Sequence, residues 1–362
     1  MEMLLENHTV KGHEVIFASI EKPGLAQQYF LENGIKSDFS RVNGIMGLFK
    51  YLQNLTRTTG DIVIIAHGLV PSIFGLIARK ILKIPYGIVH HHQPNYFSCP
   101  KNPQVFYKKM VWELIYKKSI SESIFVHSLS DEVSRKLISL KYPNNQILNL
   151  GHGIDFKKFF MRKNDVEAAC RHEEVLSILM VGRLSWEKNY ELAIDTIEDL
   201  VGRKASVSLC IVGVGPDLEL ITDYVRKKGL EQYVTFLGWR NDIQNLMNSH
   251  HIFLHTAFTE SYGQVLVEAK LASMNFVSTD VGIARRLESE CSNTKVSNQF
   301  NSVELASLIE GISPKKHKEI TGVDQNVDVL QQENIDYVYQ AMSDFLINQV
   351  ENQLAILRED KC

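Results

Sequence analysis

Short, continuously apolar runs alternate with longer amphipathic stretches along the chain, and this alternation constrains the fold more than any other feature. Runs without polar alternation are typical of parallel strands buried on both faces, and the amphipathic stretches between them predict crossover helices. We therefore predict an α/β protein built from doubly wound parallel sheets. The predicted strands are EVIFASI (14–20), DIVIIAHG (61–68), YGIVHHH (86–92), SIFVHS (123–128), QILNLGHG (146–153), VLSILMVG (175–182), SVSLCIVGVG (206–215), YVTFLGW (233–239), HIFLHTA (251–257) and NFVSTDVG (275–282). The predicted helices are PSIFGLIARKILK (71–83), PQVFYKKMVWELIYKK (103–118), NYELAIDTIEDLV (189–201), PDLELITDYVRKKG (216–229), DIQNLMNSH (242–250) and GQVLVEAKLAS (263–273).

The length of the chain and one interruption of this pattern indicate two domains. A chain of 362 residues exceeds what one ordinary core organises, and the charged stretch that begins at residue 155 carries no strand pattern. We predict two Rossmann-like domains that face a cleft, with ligands bound at the carboxyl ends of the strands. The predicted parts are a first domain (1–157), a linker (158–174), a second domain (175–332) and a C-terminal helix that packs back on the first domain (333–362).

The composition excludes several classes of partner and location. A net charge of −3 gives the molecule no general attraction to nucleic acid. The five cysteines are scattered without a metal-binding spacing, which is typical of a reduced, cytoplasmic protein. No apolar run reaches the length of a membrane span, and the polar start has no signal-peptide pattern. We expect a cytoplasmic protein that catalyses a reaction or binds a ligand, without a nucleic-acid partner.

Two cations follow the first predicted strand of the second domain. The sequence GRLSWEKN places Gly182 at the turn and Arg183 and Lys188 five residues apart. Two converging cations above a strand end would bind a diphosphate. An ordinary solvated loop is the competing interpretation of this segment taken alone.

The next two strand ends carry glycines and an aromatic residue. Gly213 and Gly215 permit close backbone approach before a helix, although a tight strand-to-helix turn explains them equally well. Trp239 and Arg240 follow the third strand. An aromatic side chain at this position stacks on a nucleobase or caps the core, and the sequence leaves both interpretations open.

Two glutamates separated by seven residues lie in HTAFTESYGQVLVEAKLAS (255–273). A helix is predicted to begin near Tyr262 or Gly263, so the free amides of its first turn would bind phosphate or sugar oxygens. Glu260 precedes that turn and would reach a sugar hydroxyl, whereas Glu268 lies further along the helix and would accept hydrogen bonds from ribose. Each glutamate alone is also compatible with an ordinary surface role.

The order of these motifs changes the interpretation. GRLSWEKN, VGVGP, VTFLGW, TESYGQVLVEA and VSTDVG together resemble the nucleotide-binding half of the family 4 glycosyltransferases, which are retaining enzymes of the GT-B fold. The first half is similar more loosely, through DIVIIAHG, IPYGIVHHH, SIFVHSLSDEVSRKLI and LGHGID. The resemblance covers nearly the whole chain, and its motifs are more specific in the second half.

The resemblance implies a role for each matching residue. It implies that Arg183 and Lys188 hold the donor diphosphate, that Glu260 lies near the transferred sugar and that Glu268 binds ribose. It also implies that His91 lies near the reacting sugar. Since no Asp-x-Asp motif is present, it further implies chemistry without a metal or another cofactor. The donor-binding residues implied around these groups are Gly182, Gly213, Gly215, Trp239, Arg240, Ser261, Tyr262, Gly263, Gln264 and Val265.

The chain departs from the family pattern in three places. It lacks the usual first strand and glycine-rich loop, so the first domain is expected to have a truncated start. HTAFTE stands where a Pro-Ser-like pair is common. Arg285 and Arg286 occupy a region where the family usually has an acid. These departures affect the acceptor side and the surroundings of the donor sugar.

The sequence therefore predicts a retaining, metal-independent hexosyltransferase that uses a UDP-sugar or, alternatively, a GDP-sugar. The expected acceptor is a glycan or glycolipid in surface polysaccharide or lipopolysaccharide synthesis. A catalytically inactive GT-B partner subunit that binds nucleotide is the alternative, and a GT-B epimerase fits the motif order less well. The stretch FYKKMVWELIYKK (106–118) would suit peripheral contact with an anionic membrane, although a solvated helix with one buried face explains it too.

Overall fold

A computed structural model of the chain describes residues 9–10, 13–14, 44–58, 62–89, 106–154, 175–290 and 294–312, and scattered residues from 338 to 352. These residues fall into two compact units, which are treated separately below. The first unit contains the described residues up to Gly153 together with those from 338 onward. The described residues of the second unit are Ile154, 175–290 and 294–312. Among the described helices, none combines the length and the apolar character needed to cross a membrane.

The first unit contains a four-stranded sheet in the order β3-β4-β5-β6, and every neighbouring pair of these strands is parallel. Helices connect the successive strands, as the alternation predicted. Two further strands form a short antiparallel pair. The elements are β1 (Thr9–Val10), β2 (His13–Glu14), α1 (Gly44–Thr58), β3 (Ile64–His67), α2 (Leu69–Leu82), β4 (Tyr86–Val89), α3 (Phe106–Glu122), β5 (Val126–Ser128), α4 (Asp131–Ser139) and β6 (Ile147–Asn149).

Apolar side chains from the strands and the C-terminal segment build one core of this unit. Phe125 is fully buried and packs with Val89 and Val338. The ring of Phe345 meets Phe125 edge to face, with 5.8 Å between the ring centroids. The described C-terminal residues therefore contribute apolar contacts to the first unit. The domain boundaries themselves stay predictions, and the linker predicted over 158–174 lies outside the described residues.

The second unit contains six parallel strands in the order β12-β11-β10-β7-β8-β9. The apolar runs that predicted β7 and β8 are almost entirely buried, because helices cover both faces of the sheet. The elements are β7 (Leu176–Val181), α5 (Tyr190–Gly202), β8 (Val207–Val212), α6 (Leu218–Lys227), β9 (Val234–Gly238), α7 (Ile243–Ser249), β10 (Ile252–His255), α8 (Gln264–Leu271), β11 (Asn275–Thr279), α9 (Ala284–Glu290), β12 (Thr294–Ser297) and α10 (Ser302–Glu310).

The strand order of the second unit reverses direction at β7. This strand pairs with β8 on one side and with β10 on the other, so the connections after β7 and β10 leave the sheet in opposite directions. A crevice opens between such connections at the carboxyl ends of the two strands, and ligands of open α/β sheets bind there. The topology thus selects the loops after β7 and β10 as the place to look for a site.

Most predicted elements are present, and the differences have physical causes. The nine strands predicted from residue 61 onward are all found, mostly shorter than predicted. Of the strand predicted at 14–20, only Glu14 is described, and it lies in an antiparallel pair. The helices α1, α4, α9 and α10 and the strand β12 were not predicted. Because β12 is an edge strand with the polar sequence TKVS, it lacks the continuous apolar run of a central strand.

Candidate active site

An ion pair joins the loops that follow β7 and β10. Lys188 ends a 3-10 turn after β7, and its ammonium contacts Oε1 of Glu260 in the loop after β10. The two side chains are 18% and 10% exposed, so water screens the pair only weakly. Burial alone would raise the pKa of Glu260, but His255 and Lys188 outweigh it and lower this pKa to about 2. The site thus holds a fixed carboxylate beside an ammonium.

His255, the last residue of β10, is the third member of this cluster. Its side chain is 3% exposed and its Nε2 lies 3.3 Å from Oε1 of Glu260. The imidazole therefore interacts electrostatically with the carboxylate, in a geometry that falls short of a formed hydrogen bond. Burial lowers the pKa of His255 more than the neighbouring carboxylate raises it, which favours a neutral imidazole at neutral pH.

Backbone contacts hold the two loops against each other. The amide of Phe258 donates to the carbonyl of Glu187 over 2.8 Å. The hydroxyl of Thr256 donates to the carbonyls of Lys188 and Asn189, at 3.1 and 2.9 Å. These bonds fix the backbone on either side of the ion pair. The side chains of Lys188 and Glu260 are therefore held within contact distance.

The N-terminus of α8 lies directly after this loop. Gly263 precedes the helix with φ +90°, a left-handed conformation that glycine adopts without strain. Within the described part of the chain, the amides of Gln264 and Val265 have no acceptor. Tyr262 is buried, and its carbonyl accepts from the amide of Ile283. The predicted helix start is therefore confirmed within one or two residues, and two free donors point out of it.

Glu268 lies on α8, about a turn further along. Its side chain is part-buried, and among the described residues no hydrogen bond or ion pair reaches its carboxyl. Burial raises the pKa of Glu268 to about 7. A part-buried acid without a partner is costly to ionise, so this carboxyl is suited to receive donors from a ligand.

In the loops after β7 and β8, Arg183 is exposed to solvent, whereas the glycines are packed against neighbouring backbone. Arg183 is exposed, and its guanidinium contacts no other described residue. A Cβ atom on Gly213 would lie 1.9 Å from the carbonyl oxygen of Gly182, and one on Gly215 would lie 2.1 Å from that of Leu184. These glycines therefore let the loops after β7 and β8 pack together, which agrees with the interpretation of a tight turn.

The residues after β9 behave differently from each other. Trp239 is 71% exposed, so its ring does not cap the core and an aromatic face is open to a ligand. Arg240 instead forms two bonds to the carboxylate of Asp242, at 2.7 and 2.6 Å. Its charge is already satisfied by this neighbour.

Some predicted site residues are not brought into the cluster. His91 lies outside the described residues. Arg285, which stands where the family usually has an acid, pairs with Asp280 and Glu288 at 3.1 and 2.6 Å. Among the described residues, no group of three or more His, Cys, Asp and Glu side chains is placed to hold a metal ion. Metal independence itself stays a prediction.

His255 is the one member of the cluster that the sequence did not single out. His255 ends a strand whose four residues are all buried, and the sequence pattern therefore indicated only a buried apolar strand at this position. A polar residue at the carboxyl end of a strand, five positions before a proposed site glutamate, was the available signal.

The described geometry has a counterpart among known protein families. Residues 162–321 match the family model described as Glycosyl transferases group 1. The match covers 160 of the 362 residues, which is less than half of the chain. All the proposed donor-side residues from Gly182 to Glu268 lie inside the matched range.

Curated relatives align with different parts of the chain. The phosphatidylinositol N-acetylglucosaminyltransferase gpi3 subunit of Schizosaccharomyces pombe is 35% identical over 115 residues, which is 30% of this chain and 25% of that protein. The match thus spans about a quarter of that relative's length. The UDP-Gal:alpha-D-GlcNAc-diphosphoundecaprenol alpha-1,3-galactosyltransferase of Escherichia coli is 22% identical over 335 residues, covering 89% of this chain and 78% of that protein.

A solved structure resembles the chain beyond the residues that match the family model. The structure of Anabaena HepE in complex with UDP-glucose superimposes with a TM-score of 0.74 at 19% identity, covering 95% of this chain and 94% of that one. At this identity the likeness concerns the fold. Together with the two parallel-sheet units, it confirms the predicted GT-B fold class.

The raised pKa of Glu268 predicts that this residue lowers stability at alkaline pH. The folded state keeps the proton up to about pH 7, whereas the unfolded chain releases it near pH 4.5, so stability falls as pH rises between these values. Glu268→Gln should therefore raise the free energy of unfolding at pH 8 by about 1–3 kcal/mol and change it little at pH 4.5. Urea unfolding at both pH values measures this difference.

The matched control for that measurement is Glu231→Gln, which alters an exposed glutamate of the same unit. It should leave the free energy of unfolding unchanged within about 0.5 kcal/mol at both pH values. Equal effects of the two substitutions at pH 8 would show that Glu268 is not an uncompensated buried acid.

Proposed function

We propose that the chain is a retaining glycosyltransferase that transfers a hexose from a nucleotide-diphosphate sugar to a glycan or glycolipid acceptor. The observation that carries this proposal is the buried cluster of Lys188, Glu260 and His255 at the switch point of the second sheet. Free helix amides, the exposed Arg183 and the unpartnered Glu268 belong to the same strand-end loops and helix.

The cations of the site would stabilise the leaving group. When the bond between the anomeric carbon and the diphosphate breaks, negative charge grows on the diphosphate oxygens. Arg183, Lys188 and the amides of Gln264 and Val265 would bind that charge without a metal ion. The acceptor hydroxyl attacks the face that the diphosphate leaves, and a diphosphate oxygen takes its proton. Configuration at the anomeric carbon is then retained.

The two glutamates would divide the donor between them. Glu260 carries a fixed negative charge next to Lys188, and it would contact the sugar as that ring becomes positive in the transition state. Glu268 has no partner among the described residues, and the ribose hydroxyls would donate to its carboxylate. The exposed ring of Trp239 would stack on the base.

Names of similar proteins support the choice of donor and acceptor. The Escherichia coli relative is named for UDP-Gal, and the Anabaena structure holds UDP-glucose. We therefore favour a UDP-sugar, with a GDP-sugar as the alternative. Two relatives are named for lipid acceptors, phosphatidylinositol and diphosphoundecaprenol, which supports a glycolipid acceptor in surface-glycan synthesis. A lipid acceptor would place the enzyme at the inner, cytoplasmic face of a membrane.

A surface of the first unit would suit that location. Residues 69–83 and 106–122 together hold seven Lys or Arg and two Glu, a local charge of +5 in a chain of −3. Lys80 of α2 and Lys118 of α3 both contact Glu122, so the two helices lie side by side. Anionic lipids attract such a basic surface, and apolar side chains on it can enter the interface. The exposed apolar side chains of the two helices are Val70, Ile77, Ile81, Met110, Val111 and Leu114.

Donor turnover tests the proposed activity. We expect the protein to release UDP from one or more UDP-hexoses, with the rate unchanged by EDTA. Arg183→Ala should lower the turnover by about 10²–10³-fold because the leaving-group charge loses a donor. Arg226→Ala, which removes an exposed arginine of the same unit, is the control and should keep the wild-type rate. UDP binding without any turnover would instead identify the inactive partner subunit.

Calorimetry with free UDP tests the division between the glutamates. Glu268→Gln should lower UDP affinity by about tenfold, because ribose loses a charged acceptor. Glu260→Gln should leave UDP affinity within about threefold of wild type and lower the transfer rate, since free UDP has no hexose. Wild-type affinity should rise with pH through about 7 as Glu268 ionises. Equal losses of UDP affinity in the two variants would contradict the assignment.

Vesicle co-sedimentation tests the membrane contact. The protein should bind vesicles that contain phosphatidylglycerol and bind phosphatidylcholine vesicles weakly, and high salt should release it. The double substitution Ile81→Ser and Leu114→Ser should reduce binding about tenfold, because two apolar side chains leave the interface. Leu220→Ser alters a similarly exposed leucine in the second unit and should have no effect. Equal binding to the two kinds of vesicle would show that this basic surface does not mediate membrane contact.

A further inference from the structure

His255 combines burial with an unsatisfied polar atom. Its Nε2 is buried and has no hydrogen-bond partner among the described residues, and the same holds for Oγ1 of Thr259 in the same loop. The buried His127 differs, because its Nε2 lies 2.6 Å from the carbonyl of Leu150. Buried polar atoms are nearly always paired, so an unpaired imidazole nitrogen beside the Glu260 carboxylate calls for a functional explanation.

The present partner of Glu260 is the group that the donor would compete for. Lys188 contacts Oε1 of Glu260 in the unliganded protein, and under the proposed function its ammonium also serves the diphosphate. When the ammonium turns toward a dianionic diphosphate, Glu260 keeps its charge but loses a buried partner. A buried carboxylate without a partner is strongly unfavourable, so another donor must replace the lysine.

His255 is placed to be that donor. Its Nε2 lies 3.3 Å from the same oxygen that Lys188 contacts, so a small rotation of the Glu260 carboxylate would align a hydrogen bond. The ring itself is held by burial and by stacking on Phe253, with 6.3 Å between the centroids and 17° between the planes. The imidazole therefore stays fixed while the carboxylate and the ammonium rearrange.

We propose that His255 is a positioning residue that replaces Lys188 as the partner of Glu260 when the donor diphosphate binds. This inference rests on the proposed function for the identity of the ligand, and on the geometry of the cluster for the exchange of partners. His255 holds Glu260 against the sugar, and Lys188 is released to the leaving group. The carboxylate is then paired both before and after the donor arrives.

The exchange also changes the protonation of the imidazole. Glu260 raises the pKa of His255 and Lys188 lowers it, while burial lowers it most. Movement of Lys188 to the diphosphate removes one lowering influence, so His255 takes up a proton more readily in the donor complex. Tyr190 is a further titratable group of this region and interacts electrostatically with both Glu260 and Glu187. The contribution of the protonated histidine is present at low pH and is lost as pH rises through the pKa of His255 in the donor complex.

Nuclear magnetic resonance of the histidine side chains tests the exchange without requiring turnover. Lys188→Met removes the ammonium, and the titration midpoint of His255 should then move to higher pH than in wild type. The signal of His255 is assigned from its loss in His255→Gln. Lys188→Gln serves the same purpose if Lys188→Met does not fold. An unchanged or lower midpoint in the folded lysine variant would overturn the inference, whatever the protein does with UDP.

Kinetics provide the second arm. His255→Phe should lower kcat by about 10–100-fold and also weaken UDP binding, because Glu260 is left without a partner once the diphosphate draws Lys188 away. His255→Gln, which keeps a hydrogen-bond donor, should restore most of kcat and remove the decline of kcat that accompanies deprotonation of His255 as pH rises. The control is His250→Phe, two residues before β10, where Nδ1 already lies 2.6 Å from the carbonyl of Leu246. A kcat that does not distinguish the Phe and Gln variants of His255 would refute the positioning role.

The two proposals fail in different ways. A protein that neither binds UDP nor releases it from a UDP-hexose contradicts the proposed function. The midpoint of His255 in the lysine variants would still decide the exchange of partners. A protein that binds and turns over the donor, but in which the titration midpoint of His255 does not change in the lysine variants, supports the function and overturns the inference.

Discussion

The second unit is organised around the ion pair between Lys188 and Glu260. A carboxylate that is 10% exposed is tolerated only because an ammonium reaches it, and the ammonium reaches it only because the loops after β7 and β10 are joined by backbone bonds. The strand order makes this meeting possible, since β7 and β10 are neighbours although their first residues, Leu176 and Ile252, are 76 positions apart along the chain. Charge, loop geometry and sheet topology therefore depend on one another at this point.

Around that satisfied pair lie groups that the described protein leaves unsatisfied. The carboxyl of Glu268, the Nε2 of His255 and the first amides of α8 lack partners among the described residues. The two side-chain groups are buried or part-buried and cost stability without a partner, and a nucleotide-diphosphate sugar would offer partners to Glu268 and to the helix amides. A protein that retains several such groups on one loop and the helix after it is built to bind a ligand there.

How far the sequence predicts this molecule depends on how local the determining interaction is. The central strands could be predicted because burial on both faces demands a continuous apolar run, which β7 and β8 display. The start of α8 could be predicted because Gly263 marks it. The edge strand β12 could not be predicted, because its sequence TKVS lacks the continuous apolar run of a central strand and only its pairing with β11 reveals it. Helices such as α4 carried a local signal in the Ser130 cap but no strong apolar run.

The sequence by itself determined the alternating architecture, the order of the motifs and the residue types available at each strand end. Only the tertiary structure decided which of these residues act on one another. It paired Lys188 with Glu260, placed His255 beside them, used Gly213 and Gly215 for loop packing and tied Arg240 to Asp242. The physical reason is that apolar periodicity is written in neighbouring residues, whereas charge pairing and the partners of buried polar atoms depend on which strand ends the sheet order brings together.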